Sequence, residues 1–211
     1  KRIFALKNLQ METIKYDAEF HRGVYDLERN FQGKHDAVFK KRSEIVNGSY
    51  EPDSEECKQL GMEVEKNVPA EGQIEGPKGI PNFWLTVLRN VGEISSMIQE
   101  QDEEVLKYLI DLRAFSMPAP NLSFQLEFHF AANPYFQNTV LTKTYLMKCT
   151  PDEEDPFGFE GPEIYKSIGC EIMWNAGKQI TELKKSNSAT RVFSIESFFN
   201  FFSPPELIMN E

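Results

Sequence analysis

Cysteine is scarce in this chain. Cys57, Cys149 and Cys170 are the whole complement, and their odd number and wide separation encode neither a disulfide framework nor the paired spacing of a zinc site. That usage fits a reducing compartment. Histidine is as sparse: His21, His35 and His129 are scattered, and His129, between Phe128 and Phe130, reads as the polar face of a strand rather than a ligand, so no metal is expected. No apolar run approaches the roughly 20 residues that span a bilayer, and the charged amino terminus is unlike a secretory signal. Because the chain begins at Lys1 rather than Met, it is expected to be a core cut from a longer protein, with targeting signals and tails outside it.

The motifs of chemistry are missing as well. There is no G-x-x-x-x-G-K-[ST], no G-x-S-x-G and no H-E-x-x-H, and Gly158-Phe159-Glu160-Gly161 is too short and too anionic to cradle a phosphate. Carboxylates are so abundant that no catalytic pair among them is specific. The chain reads as a binding protein without a cofactor, not an enzyme.

Proline is absent from the first 47 residues, and this absence leads to the main feature that is present. Lys1 to Asn47 reads as one unbroken helix, ended by Asn47-Gly48 and kept from resuming by Pro52. From Phe20 its large apolar residues recur in steps of three and four at Phe20, Val24, Leu27, Phe31, Val38 and Ile45, a coiled-coil seam interrupted near Lys34 and Lys41. Such a rod is too long for a small domain to cover, so a second copy of the chain is the expected partner.

The net charge of −10 divides unevenly. Residues 1–47 carry ten Lys and Arg against seven Asp and Glu; the remainder carries thirteen against twenty-six. The acidity therefore belongs to the chain beyond the rod. It disfavours direct, sequence-specific binding of nucleic acid, which needs clustered Lys and Arg, and it suits a basic partner.

Residues 51–78 hold eight acids, three prolines and three glycines, the composition of a flexible acidic connector with at most a short helix near Glu55 to Lys66. Pro81 then opens a helix carrying Phe83, Trp84, Val87 and Leu88 inward, and a second helix is expected over Val91 to Leu109. From there the period changes to two. Leu122 to Phe130 and Thr139 to Lys148 read as an antiparallel pair, with further strands at Leu112 to Met117, Cys170 to Trp174, Gln179 to Lys184 and Arg191 to Ile195, the last two forming a hairpin. Asp152-Glu153-Glu154-Asp155, bracketed by prolines, must lie on an exposed loop. Ser197 to Phe202 contains four phenylalanines in five positions, read as a short terminal helix that plugs the underside of the sheet. The fold class is α+β: a rod over 1–47, a connector over 48–79 and an α/β body over 80–211.

Four strings are more specific than these statistics. Lys78-Gly79-Ile80-Pro81-Asn82-Phe83-Trp84, Leu141-Thr142-Lys143-Thr144-Tyr145, Phe159-Glu160-Gly161-Pro162-Glu163-Ile164 and Glu196-Ser197-Phe198-Phe199-Asn200-Phe201-Phe202-Ser203-Pro204-Pro205 occur in order and resemble the signature segments of the nucleosome assembly protein family. The resemblance also takes in the long helix around Leu27-Glu28-Arg29 and so runs over essentially the whole chain.

The resemblance implies a histone chaperone, active without ATP, that binds core histones, shields their positive charge and delivers them to DNA. It implies a headphone-shaped homodimer with antiparallel long helices, each protomer adding a body with a four-stranded antiparallel sheet and flanking helices. It places the histone-facing underside on Glu100, Asp102, Glu103, Glu104 and Asp111, with Asp152, Glu153, Glu154 and Asp155 as a second group. It implies shuttling between nucleus and cytoplasm and contact with import factors, although in the hairpin that carries an import signal in some members only Lys184, Lys185 and Arg191 remain. The family's acidic carboxy-terminal tail does not follow Glu211 and is expected to have been cut away. The rivals are a dimeric acidic scaffold for other partners and a related chaperone branch that inhibits phosphatases.

Overall fold

A computed structural model of the chain describes residues 1–53, 56–57, 76–118, 122–187 and 189–203, with the backbone alone over 184–192. The rod is a single helix, α1 (Arg2–Val46), 45 residues long and therefore about 68 Å from end to end. Most of the acidic connector lies outside the described residues, including nearly all of the expected helix at Glu55 to Lys66. Where the chain re-enters, Gly48 and Gly79 meet backbone to backbone, both at positive φ, and a Cβ on Gly79 would fall 2.3 Å from the Val46 carbonyl. Ile80 N–H then donates to that same carbonyl at 2.8 Å. Only glycine permits this approach, which fixes the start of the body to the end of the rod.

The body begins with α2 (Phe83–Arg89), entered through Asn82 in the left-handed conformation, with Trp84 and Leu88 buried as expected. The single helix expected over Val91 to Leu109 is in fact two, α3 (Gly92–Met97) and α4 (Glu100–Leu106). Two interactions break it. Arg89 Nη1 donates to the Ser95 and Ile98 carbonyls at 3.1 and 3.2 Å, taking up the free end of α3, and Gln99 with Asp102 forms a capping box that starts α4 afresh.

Four strands come next as an antiparallel meander: β1 (Leu109–Ser116), β2 (Ser123–Phe130), β3 (Val140–Lys148) and β4 (Glu163–Ile168), in spatial order 1-2-3-4. The β2/β3 register pairs Phe128 with Leu141 and Leu126 with Lys143. The β4 strand escapes sequence reading because its residues are almost all exposed on both faces, as an edge strand allows. The strand expected at Cys170 to Trp174 is not formed; that segment makes one bridge, Phe136 to Trp174. The hairpin is present as β5 (Glu182–Asn187) and β6 (Ala189–Ser194).

The phenylalanine segment forms a 3-10 helix, Phe198–Phe202, with Phe198, Phe199 and Phe202 buried. Phe128 takes the edge of Phe202 at 5.1 Å between centroids, and Phe130, Phe136 and Trp174 ring Phe199. Lys143, only 4% exposed, points into this apolar face. Its ammonium donates to the Phe201 carbonyl at 2.5 Å and lies 4.6 Å from the Phe201 ring centroid, with no carboxylate partner among the described residues.

Burial pushes the Lys143 ammonium below its ordinary value of 10.5. The unfolded chain therefore holds this proton more tightly than the folded one, and folding stability gains as pH rises through the depressed value towards 10.5. Lys143→Met, of similar volume, is expected to change stability near neutrality by no more than about 1–2 kcal/mol and to remove that alkaline gain. Melting temperatures of both proteins from pH 7 to 10 test this; parallel curves would refute it.

One stripe of the rod is covered from within the chain, while the seam of Phe20, Leu27, Phe31 and Val38 is left exposed. Ile14, Ala18, Tyr25 and Val46 are buried; Ala18, Tyr25 and Val46 fall, with the partly covered Gln32 and the more exposed Phe39, on a seven-residue period offset from Phe20 and Leu27, and Ile14 lies one turn before it. Polar anchors fasten this stripe. Arg22 Nη2 donates to the Cys149 carbonyl at 2.8 Å, the Tyr25 hydroxyl sits 2.5 and 2.7 Å from the Met117 and Ser123 carbonyls, and Gln32 Oε1 accepts the Ser116 N–H at 3.0 Å. At the far end Arg42 donates to the Leu112 carbonyl at 3.2 Å and stacks over Trp84 at 4.9 Å. The rod and body are thus one bolted unit.

Candidate functional site

The acidic residues separate into two kinds. Asp102 is fully buried. Its Oδ2 accepts the backbone N–H groups of Gln99 and Phe198 at 2.9 and 2.7 Å, and its Oδ1 accepts the Ser197 hydroxyl at 2.6 Å. It therefore caps α4 and the 3-10 helix at once and presents no oxygen to a partner. Asp111, 2% exposed, is held by Arg113 Nε at 2.7 Å and Arg42 Nη2 at 3.5 Å, an ionic joint between β1 and the rod. Both were expected on the binding surface; burial and internal partners remove them from it.

Other carboxylates remain accessible to differing degrees. Glu103 is half-exposed and paired with Arg89. Glu104 is exposed and paired with Lys107 Nζ at 2.5 Å, an exchangeable surface contact that raises the lysine above its usual value. Glu100 is exposed at the first turn of α4. All four of Asp152, Glu153, Glu154 and Asp155 are exposed on the β3–β4 connection. The Asp152 carboxyl is held below its usual range, chiefly by the Glu154 N–H that it accepts at 2.9 Å and then by Lys148 at 3.4 Å. These side chains can meet a cation without breaking a core interaction.

The seam residues divide in a similar way. Phe20, Leu27, Phe31 and Val38 are exposed, Phe20 by 66% and Leu27 by 56%, whereas Val24 and Ile45 are partly covered by the protomer itself. Ile3, Phe4, Leu6 and Leu9 extend the exposed apolar series to the amino-terminal end. Beside the seam lies an apolar groove of about 550 Å³ lined by Leu27, Phe31, Phe39, Phe115 and Phe124. So many large apolar groups in water on one helix mark a surface made to be covered.

Sequence reasoning missed the anchors Tyr25, Arg42 and Lys143. Tyr25 and Arg42 lie on and beside the seven-residue spacing from Ala18 to Val46, whose small and polar members apolar periodicity passes over; Lys143 shares the alternating face of Leu141, but a lysine in a strand ordinarily faces solvent. Among the described residues no group of three or more His, Cys, Asp or Glu side chains is placed to hold a metal ion, and no helix is long and apolar enough to cross a membrane.

All 211 residues match the family model described as Nucleosome assembly protein (NAP). The chain is 43% identical over 237 residues to nucleosome assembly protein 1-like 1 of Xenopus tropicalis, covering 100% of this chain and 60% of the relative. Against the Homo sapiens protein of the same name it is 44% identical over 231 residues, covering 98% and 59%. It thus spans about three fifths of the length of these relatives. Among solved structures, nucleosome assembly protein 1 from Plasmodium knowlesi superposes with a TM-score of 0.58 at 28% identity, covering 95% of this chain and 77% of that one. Ccp1 shares the fold with a TM-score of 0.53 at 22% identity.

Proposed function

Because this chain belongs to the nucleosome assembly protein family, we propose that it is a histone chaperone. It binds core histones through exposed carboxylates of the body, screens their positive charge and releases them to DNA without ATP. The observation that carries this reading is the placement of charge. The excess of acid lies outside the rod, and Glu100, Glu104 and Asp152 to Asp155 sit exposed on the body while the mildly basic rod is bolted behind it. An anionic surface of this kind competes with DNA phosphates for the same lysines and arginines, and exchange arises from comparable, salt-sensitive affinities.

The exposed seam supports a homodimer in which two rods cover each other and hold two acidic bodies towards one cargo. Shuttling between nucleus and cytoplasm and contact with import factors belong to the same reading, although the β5–β6 hairpin offers such factors only Lys184, Lys185 and Arg191.

The test neutralises accessible groups only. Replacing Glu100, Glu104, Glu153 and Glu154 by Gln is expected to weaken binding of core histones by about tenfold or more at 0.15 M salt, to flatten its salt dependence and to leave the melting temperature within a few degrees. Titration of labelled histone pairs with DNA as competitor reads affinity and release together. Unchanged affinity would reject this surface, and failure of the wild type to bind any core histone would reject the chaperone reading in favour of a scaffold.

A further inference from the structure

A polar cavity of about 770 Å³ lies between the Cys170–Trp174 segment, the foot of the β5–β6 hairpin and the terminal 3-10 helix. A second of about 450 Å³ adjoins it, and the two share Trp174, Gln179 and Glu182. These volumes are those of ordinary ligand sites. The walls are rigidly placed. Asn138 grips the segment twice, its Nδ2 donating to the Glu171 carbonyl at 3.2 Å and its Oδ1 accepting the Met173 N–H at 2.7 Å. Asn175 is tied to the Tyr135 and Pro134 carbonyls at 2.8 and 3.0 Å. Trp174 packs edgewise against Phe136 and Phe199 at 5.5 and 5.6 Å, and Phe199, fully buried, supplies part of the floor.

The chemistry of the lining is specific. Glu171 and Glu182 both face the cavity, and neither side chain has a hydrogen bond or ion pair among the described residues. An indole beside two carboxylates is the combination that holds an ammonium or guanidinium group, by charge from the acids and by the ring face.

We infer that this cavity seats a lysine or arginine side chain of a basic polypeptide, with Trp174, Glu171 and Glu182 as its recognition groups. The inference rests on the chaperone reading for its partner and adds a defined pocket to a surface otherwise described only by charge. It also gives buried Asp102 a role in binding at one remove, since Asp102 caps the 3-10 helix that carries Phe199, Asn200 and Ser203 to the cavity.

The two tryptophans make the test internal. Trp84 Nε1 is bonded to the Ile110 carbonyl at 3.0 Å, on the rod-facing side of the body, so its indole resonance serves as the reference. Titrating the full chain with short peptides of alternating lysine and glycine, or arginine and glycine, should shift the Trp174 indole signal saturably while that of Trp84 stays still. Glu171→Gln with Glu182→Gln should weaken peptide binding by about tenfold, whereas Glu160→Gln with Glu163→Gln, the same change of charge elsewhere on the body, should have a much smaller effect. A silent Trp174, or equal losses from the two double variants, overturns the pocket. Core-histone binding by the wild type is measured alongside: its absence sinks the parent reading, while intact histone binding with a silent Trp174 sinks the pocket alone.

Discussion

In the homodimer proposed above, Leu27→Glu should break the pairing and leave a monomer at micromolar concentration with each body folded. Leu27 is exposed in the isolated protomer, so the glutamate is harmless there; in the paired rods it would sit desolvated in the seam, where an unpartnered charge costs on the order of 4 kcal/mol, or roughly a thousandfold in dissociation constant. Phe31→Glu should act alike, because Phe31 lines the same groove. Tyr25→Glu, only two positions away, should behave differently. Tyr25 faces the chain's own body and joins the Met117 and Ser123 carbonyls, so its loss destabilises the protomer before it affects association. Sedimentation velocity and thermal melting on the three variants separate the two stripes. A Leu27→Glu protein that stays dimeric would show that the second copy docks elsewhere, and one that unfolds would show that the rod cannot exist uncovered.

Both stripes were present in the sequence, but only one was legible. The seam of Phe20, Leu27 and Phe31 is written in large apolar side chains, and apolar periodicity is what pattern reading detects. The inward stripe passes through Ala18, Tyr25, Gln32 and Arg42, small or polar residues, of which Tyr25 and Arg42 join backbone carbonyls and Gln32 accepts a backbone N–H, groups whose positions only the folded sheet supplies. The strand β2 was legible for the same reason as the seam, since its phenylalanines and Leu126 alternate with polar residues, and β3 followed from its period of two across the turn-rich Ala131 to Pro134. The edge strand β4 lacks a buried face and therefore a pattern. The short helices α3 and α4 merged in the sequence because helical spacing continues across Ile98, and the break depends on Arg89 reaching carbonyls that periodicity does not reveal.

The acidic cluster shows the limit most sharply. In sequence, Glu100, Asp102, Glu103 and Glu104 are four equivalent charges. In the fold, position N3 of α4 turns one of them inward, where three donors await it, and the others outward. A capping box is visible in principle from Gln99 and Asp102, yet the Ser197 hydroxyl and Phe198 N–H lie some 95 positions along the chain. Charge alone could not distinguish a residue that meets cargo from one that closes the core.

That distinction sets the second large effect. Asp102→Ala should cost about 3–4 kcal/mol, because it strands the Gln99 and Phe198 N–H groups and the Ser197 hydroxyl in a dry site and leaves a void between α4 and the 3-10 helix. Asp102→Asn should cost less, about 1–2 kcal/mol: its carbonyl oxygen can take both N–H groups while its amide donates to Ser197 Oγ, which already accepts the Phe199 N–H at 3.1 Å, so that only the hydroxyl proton loses its partner. The asparagine variant removes the same charge as the alanine variant but keeps the clasp. If Asp102 acts only inside the fold, Asp102→Asn will bind histones nearly as well as the wild type, and Asp102→Ala will lose binding in step with its loss of stability in denaturant. The opposite pattern, a stable Asp102→Asn protein with histone affinity reduced as far as by neutralising Glu100 and Glu104 together, would mean that the clasp opens on binding and that this carboxylate reaches the cargo after all.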